Sequence, residues 1–307
     1  MKSGFLTFIS LMVFVPAVRA QVTLEIKHLE NTQVATFSDI NVVQNLQLAG
    51  QEIITKSKQA IITEYASGER AKDGTLRTKV TINKWTGNWE FPGGIKMEFD
   101  SEVPERKAPI AQLEPVLELL QVTLKTSITH VFNKNGSVKG VEVPEDAAKD
   151  LPDLFKNELS AKKLTTQLKQ KHESLPDKAV SKGDTWVRNQ TMHLEGGQAM
   201  TFRIDFKYKG IVKKDDVKLD LITGKITDVA YNMKDNPNSP LKVKNSELKA
   251  AKSSLELFFD RKQGRFVRTS LLVHIKGDMT FEVNGMELPG KLDLMYKQNT
   301  RDVLGDD

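Results

Sequence analysis

The chain contains no cysteine among its 307 residues. Disulfides therefore cannot stabilise the fold, and a mature chain cannot carry a lipid on an N-terminal cysteine. The same absence excludes thiol nucleophiles and every zinc site that uses cysteine ligands. Burial of apolar surface must supply the stability, at about 25 cal/mol for each Å² of apolar surface removed from water.

Recognisable catalytic, nucleotide-binding and metal-binding motifs are also missing from the sequence. No serine lies in a Gly-x-Ser-x-Gly elbow, and no glycine-rich loop leads into a Lys-Ser/Thr pair. The histidines occur singly, without the HExxH or HxH spacing of a metal site, at His28, His130, His172, His193 and His274. We therefore expect no catalytic residue, no metal ligand and no cofactor, and a protein that is not an enzyme.

Clusters of basic residues are absent as well, although the formal net charge is +5. Lysine is scattered and alternates with apolar residues, as in Phe206-Lys207-Tyr208-Lys209. This pattern is typical of the solvated face of a strand, whereas a nucleic-acid interface needs clustered Lys/Arg with interleaved aromatic residues. We expect no nucleic-acid partner, and the sequence does not identify a protein partner.

Long apolar runs are limited to the start of the chain. Lys2 precedes the apolar run Phe5–Val15, which Val18-Arg19-Ala20 follows with small residues at the positions that signal peptidase reads. The run is too short to span a bilayer, which needs about 20 apolar residues, and no comparable run follows. Residues 1–20 are thus predicted to be a cleaved signal peptide, so the mature chain would be periplasmic or extracellular and without a transmembrane span.

Strict alternation of apolar and polar residues is the clearest structural signal. On residues 200–208, the even-numbered positions are apolar and the odd-numbered positions are polar or charged, a pattern typical of a half-buried antiparallel strand. Similar alternation continues to the C-terminus, with turns predicted at Gly264, Gly277-Asp278 and Asn284-Gly285. Residues 181–307 are therefore predicted to form a β-meander.

Residues 21–143 are predicted to form a first β-rich half. The candidate strands of this half are Val22–Lys27, Val34–Leu48, Glu52–Tyr65, Leu76–Trp85 and Ile95–Phe99. Leucines at three- and four-residue spacing predict a helix near 109–125, which either kinks at Pro115 or begins later. A second helix, Pro152–Lys171, falls in a helical connection at 144–180.

These patterns predict an α+β fold that is mainly antiparallel β, with one or two strongly curved sheets or a half-barrel covered by two helices. Residues 131–139 and 258–268 resemble each other, each being a strand, a turn with Asx and Gly, and a strand. Either the chain consists of two similar halves, or the likeness reflects the few residue types that turns use. Whether the halves form one domain or two stays open.

One segment carries a resemblance to a known family. Leu175-Pro176 ends the second helix, Val180 can enter the core, Gly183-Asp184 makes a turn, and Trp186 begins a strand. This LP…V..GD.W motif, with a later FD…GR.V motif at residues 259–267, resembles a family of uncharacterised secreted bacterial proteins known only as a domain of unknown function. At the level of fold, the chain is also similar to periplasmic lipoprotein carriers with half-barrel sheets.

The leading interpretation is an exported, non-enzymatic protein that binds a hydrophobic small molecule or lipid on a concave sheet face. The lining residues expected for such a ligand are Phe202, Phe206, Tyr208, Leu271, Val273 and Phe281. The alternatives are a cell-envelope structural or interaction module in which these residues fill a core, and an unrecognised hydrolase whose polar cleft is assembled by the fold.

Overall fold

Long antiparallel strands dominate the structure, a computed structural model that describes residues 21–103, 107–149, 151–193, 198–233, 242–283 and 285–303. The described residues form one twelve-stranded sheet. Its strands in chain order are β1 (Thr32–Leu48), β2 (Gln51–Ser67), β3 (Leu76–Phe91), β4 (Ile95–Asp100), β5 (Ile128–Phe132), β6 (Val138–Glu142), β7 (Thr185–His193), β8 (Gln198–Lys214), β9 (Val217–Met233), β10 (Lys242–Asp260), β11 (Arg265–Val283) and β12 (Met286–Asp302).

The sheet is open, and its order is β6-β5-β3-β2-β1-β12-β11-β10-β9-β8-β7, with β4 paired to β3. The first and last strands meet in the middle of the sheet, where β1 and β12 pair from Thr36↔Asp302 to Leu48↔Gly290. The predicted mainly antiparallel α+β class is therefore confirmed. Strands β1–β6 fall within 21–143 and β7–β12 within 181–307, while the division of the chain into these halves stays a prediction.

The main hydrophobic core follows the predicted alternation. On β8, the even-numbered side chains from Met200 to Tyr208 are buried, and Arg203, Asp205 and Lys207 are exposed, so the predicted register is confirmed. Apolar side chains of β9–β12 join them, together with Leu24, Leu175 and Val180. As far as the described residues go, this cluster contains no helical residue, so strands, the residues around Leu24 and the 175–180 loop fill the core without a covering helix.

Two local predictions are wrong. Residues 22–27 do not form a strand, because they are held by one isolated bridge between Val22 and Val180 and by the N–H of Lys27, which donates to Gly264 O at 2.8 Å. Gly277 does not end a strand, because β11 continues through it. Glycine is needed at this position for close packing instead, since a Cβ on Gly277 would lie 2.0 Å from Glu247 O on β10.

In the described ranges, three α-helices connect the strands: α1 (Glu114–Lys125), α2 (Asp153–Lys156) and α3 (Ala161–His172). Pro115 lies in the first turn of α1, where a missing N–H costs no helical hydrogen bond, so the helix begins there rather than kinking. The predicted helix Pro152–Lys171 is interrupted before Ser160, whose Oγ accepts from Lys163 N and so begins α3.

The helices contact only part of the sheet, so the expectation that they cover its apolar face holds only locally. Helix α1 packs Leu117 and Leu120 on Met97 and Phe99 of β4. Helix α3 packs Leu168 with residues of β3, β5 and β6. In the part of the chain that the structure describes, none of the helices is long and apolar enough to cross a membrane.

Helix α3 also lies between the two edge strands of the sheet. On β6, the N–H of Val141 donates to Thr165 Oγ1 at 2.9 Å. On β7, the N–H of Thr191 donates to Gln170 Oε1 at 3.3 Å. The helix therefore satisfies backbone donors on both open edges, which would otherwise be available for pairing with another chain.

Candidate functional site

A cavity of about 590 Å³ lies where the N-terminal segment, residues 26–29, crosses one end of the sheet. Strand pairing places four of its lining residues side by side, because Thr32 pairs with Ser67, Ser67 with Thr78, and Thr78 with His130 in successive strands. Helix α3 contributes Leu168, Lys171 and His172, the β10–β11 connection contributes Gln263, and the start of β11 contributes Arg265 and Phe266. The volume is within the ~300–1,000 Å³ of small-molecule sites.

The wall of the cavity combines apolar side chains with nitrogen and hydroxyl groups. Its apolar part is formed by Ile26, Leu29, Val34, Phe132, Leu168 and Phe266, and Tyr65 adds an aromatic ring. Among the described residues, the lining contains three histidines and three Lys/Arg side chains but no carboxylate. Such a site favours ligands that are apolar over most of their surface and carry a neutral or anionic polar group.

Three of the five histidines meet at this cavity around Phe132. The rings of His28 and Phe132 are stacked with centroids 3.5 Å apart, and His172 stacks on His28 at 5.1 Å. The ring of His130 meets the Phe132 ring edge-on at 6.2 Å. Strand β5 explains part of this arrangement, because His130 and Phe132 are two residues apart and so lie on the same face.

Burial keeps these imidazoles neutral near pH 7. Desolvation lowers the pKa of His28 to about 4 and that of His130 to about 4. Burial and the neighbouring His28 lower the pKa of His172 to about 3. Within the described residues, Nε2 of His28 is buried without a hydrogen-bond partner. The rings thus offer polar nitrogens without charge at neutral pH.

The basic side chains of the cavity differ in the groups with which they interact. Arg265 forms a two-pronged ion pair with Asp302, with N–O distances of 2.6 and 2.5 Å. Lys27 donates from Nζ to Arg261 O at 3.1 Å. Lys171 is exposed, and its Nζ lies 5.8 Å from the centroid of the Tyr65 ring.

The two similar hairpins noted in the sequence both touch the N-terminal segment. The turn of β5–β6 lies near His28, since a Cβ on Gly136 would be 3.8 Å from its ring. The turn of β10–β11 approaches more closely, because a Cβ on Gly264 would lie 2.5 Å from Lys27 N. Gly264 also has φ +65°, so glycine is required there both for its backbone conformation and for this contact.

The six residues predicted to line a ligand lie elsewhere. Phe202, Phe206, Tyr208, Val273 and Phe281 are buried in the main core, and Leu271 packs against it. None of the six is among the residues that line the cavity. A ligand on these residues stays a prediction, and the cavity at residues 26–29 is a second location that the sequence did not indicate.

Sequence reasoning missed the histidine cluster because its members are far apart along the chain. One local signal was the alternation of Ile128, His130 and Phe132, which places His130 on the face of an apolar strand. His172 continues the four-residue spacing of Leu164 and Leu168 on α3, which gives its helix face but not the residues that this face meets. His28 comes from an irregular segment, for which no period exists. Among the described residues, no group of three or more His, Asp or Glu side chains is arranged to hold a metal ion.

The motif at residues 175–186 has a structural role. Leu175 and Val180 are buried in the main core, and the Trp186 ring stacks on Phe206 with centroids 5.6 Å apart. Nε1 of Trp186 donates to Ser174 O at 3.0 Å. The motif therefore attaches the end of α3 to the start of β7, close to the helix that lines the cavity.

Comparison with protein-family models gives a match over residues 73–244 to DUF6263, described as a family of unknown function. The match includes the motif at residues 175–186, and the predicted membership in an uncharacterised family is confirmed. A comparison with curated proteins finds no match.

Solved structures resemble the chain only distantly. A structure titled for lipid–protein interactions in lipovitellin is 7% identical with a TM-score of 0.44, covering 91% of this chain and 26% of that one. The chain thus spans about a quarter of the lipovitellin chain. A DUF1329 family protein from Desulfovibrio piger is 10% identical with a TM-score of 0.16, covering 90% and 89% of the two chains. Likenesses at this level do not establish a shared function.

Proposed function

The chain belongs to DUF6263, a family of unknown function, and we propose that it is an exported protein that binds a hydrophobic or amphipathic ligand without transforming it. The observation that carries this proposal is the cavity of about 590 Å³ with apolar walls beside residues 26–29. Burying the apolar part of a ligand there would remove its surface from water, the main source of affinity in such sites.

The hydroxyl groups of the cavity support binding rather than catalysis. Ser67 Oγ and Thr78 Oγ1 bond each other at 2.8 Å, and Thr32 Oγ1 donates to Leu29 O at 3.0 Å. These three hydroxyl groups are thus engaged with one another or with the backbone, and within the described residues none of them is hydrogen-bonded to a lining imidazole, as a nucleophilic hydroxyl would be to its base.

Export is supported by the packing that begins directly after the predicted cleavage site. The N–H of Val22 donates to Val180 O at 2.9 Å, and Leu24 is 3% exposed in the main core. Cleavage after Ala20 would leave this segment intact. N-terminal sequencing of the protein from its native host should begin at Gln21, and an intact Met1 on the mature protein would contradict export by this signal.

The binding proposal is tested by filling the cavity. Val34 on β1 lines it, whereas Val43, nine residues along the same strand, lies on the opposite face and is 38% exposed. The purified chain should bind the uncharged apolar dye Nile red saturably. Val34→Trp should abolish this binding, because the indole occupies the cavity, and Val43→Trp should leave it unchanged.

Thermal unfolding of both variants separates loss of the cavity from loss of the fold. Equal Nile red binding by Val34→Trp and Val43→Trp, with both folded, would place the dye outside this cavity. Absence of saturable binding by the unsubstituted chain, to Nile red and to acyl ligands, would leave a structural or interaction module as the better interpretation.

A further inference from the structure

The charge of the cavity selects among apolar ligands. In the part of the chain that the structure describes, its lining includes Lys27, Lys171 and Arg265 but no Asp or Glu. A cavity with basic groups and no carboxylate makes an anionic group on the ligand favourable and a cationic group unfavourable.

Lys171 is the basic group best placed to meet such an anion. Asp302 already neutralises Arg265, and the Arg261 carbonyl accepts from Lys27. For Lys171, no carboxylate lies within ion-pair distance among the described residues, and its ammonium lies beside the Tyr65 ring. A cation held at a cavity mouth without a carboxylate partner is available to an incoming anion.

One turn of α3 combines this cation with an apolar contact. Leu168, Lys171 and His172 occupy positions i, i+3 and i+4, which share one face of a helix, and all three line the cavity. Leu168 is buried against Leu76 and Phe132, whereas Lys171 reaches solvent. The helix thus presents a deep apolar side chain and an outer positive charge, the arrangement that a ligand with an acyl chain and a charged head matches.

We propose that the cavity recognises amphipathic ligands with an anionic head group, carboxylate or phosphate, which pairs with Lys171 while the acyl part contacts Phe132, Leu168 and Phe266. This inference rests on the proposed binding function and specifies the ligand class. The neutral imidazoles of His28, His130 and His172 add hydrogen-bonding nitrogens without repelling the apolar part of the ligand.

The test compares ligands that differ only in head-group charge, measured by displacement of bound Nile red. Palmitic acid should bind more tightly than its methyl ester, and the preference should fall at high salt, which screens the ion pair. Lys171→Gln should weaken palmitate binding by about five- to tenfold and leave the ester unchanged. Lys171→Arg should retain the preference for palmitate.

The matched control is Lys169→Gln, which removes the same charge from an exposed residue of the same helix that does not line the cavity. It should leave both affinities unchanged. Equal binding of acid and ester by the unsubstituted chain, or equal losses in Lys169→Gln and Lys171→Gln, would overturn the anionic-head-group inference while binding itself stands. Failure of both palmitic acid and its ester to displace bound Nile red would also overturn the inferred ligand class, whereas absence of saturable binding of Nile red and of acyl ligands would contradict the binding function itself.

Lysophospholipids then distinguish a phosphate from a carboxylate as the anionic group of the ligand. Lysophosphatidic acid should compete as palmitate does if a phosphate is accepted, whereas zwitterionic lysophosphatidylcholine should compete less well. Competition by palmitate alone would assign the site to carboxylates, and equal competition by both lysolipids would contradict a role for net head-group charge.

Discussion

At the scale of single residues, the histidines around Phe132 are the most unusual feature of the molecule. Imidazoles are commonly placed where they can take up a proton near neutral pH, but desolvation holds these three in the neutral form. Lys171 and Arg70 act in the same direction, because positive charges nearby disfavour a second one. The cluster therefore belongs to the apolar wall of the cavity at neutral pH.

This burial predicts a loss of stability in mild acid. The folded-state pKa values of His28, His130 and His172, about 4, 4 and 3, lie below the ordinary value of 6.5. At a pH between the folded-state and the ordinary value, the unfolded chain therefore binds more protons than the folded chain. The free energy of unfolding should fall as the pH is lowered from 6.5 towards 4, by up to about 1.4 kcal/mol per pH unit for each histidine.

His172→Phe keeps the stacked ring and removes one titrating group, so it should make this pH dependence shallower. Urea unfolding of the unsubstituted and His172→Phe chains between pH 4 and pH 7.5 measures the difference in slope. Parallel curves for the two chains would show that His172 is not held neutral by the fold.

At the scale of elements, α3 contacts several separate parts of the fold. It contacts the open edges at β6 and β7, and it supplies three lining residues to the cavity. Long strands with an exposed edge tend to pair with other chains, and a helix along the edge prevents this. Helix α3 therefore covers backbone groups on both open edges of the sheet and also forms part of the cavity wall.

The contact at β6 can be tested with a matched pair of substitutions. Thr165→Val preserves shape but leaves the half-buried N–H of Val141 without its acceptor, which should cost about 1–3 kcal/mol. Thr166→Val makes the same change one residue later, on the exposed face, where the hydroxyl bonds only the carbonyl of Lys162.

Thr166→Val should therefore change stability by less than about 0.5 kcal/mol. Hydrogen exchange at the Val141 amide should accelerate in Thr165→Val alone. Equal exchange rates in the two variants would show that α3 does not protect this edge.

The elements that could be predicted are those with a strong local period. The alternation of Phe202, Ile204 and Phe206 with charged residues defined β8 and its buried face, since a slip by one residue would bury Arg203 and Asp205. Residues 22–27 show that a local period alone does not define a strand. They alternate as a strand would, and Leu24 is buried in the main core. Their backbone, however, bonds to the loop at Val180 and to the turn at Gly264 rather than to a neighbouring strand.

At the scale of the whole molecule, distant parts of the chain create the features that matter for function. The pairing of β1 with β12 joins the first and last strands, and the cavity combines residues from the N-terminal segment, five strands, α3 and the β10–β11 connection. Local patterns cannot report such contacts, which explains why the predicted lining residues lie in the main core while the cavity lies beside residues 26–29. A sheet built from such long-range pairing should also fold slowly.

Photo-crosslinking with a diazirine-bearing palmitic acid tests most directly whether this cavity holds the ligand. We expect labels on Phe132, Leu168, Phe266 and the segment 26–34, all suppressed by unlabelled palmitate, and absent in Val34→Trp. Labels on Phe202, Phe206 or Val273 would instead place the ligand in the main core. Labelling that excess palmitate does not suppress would contradict a specific ligand site in this protein.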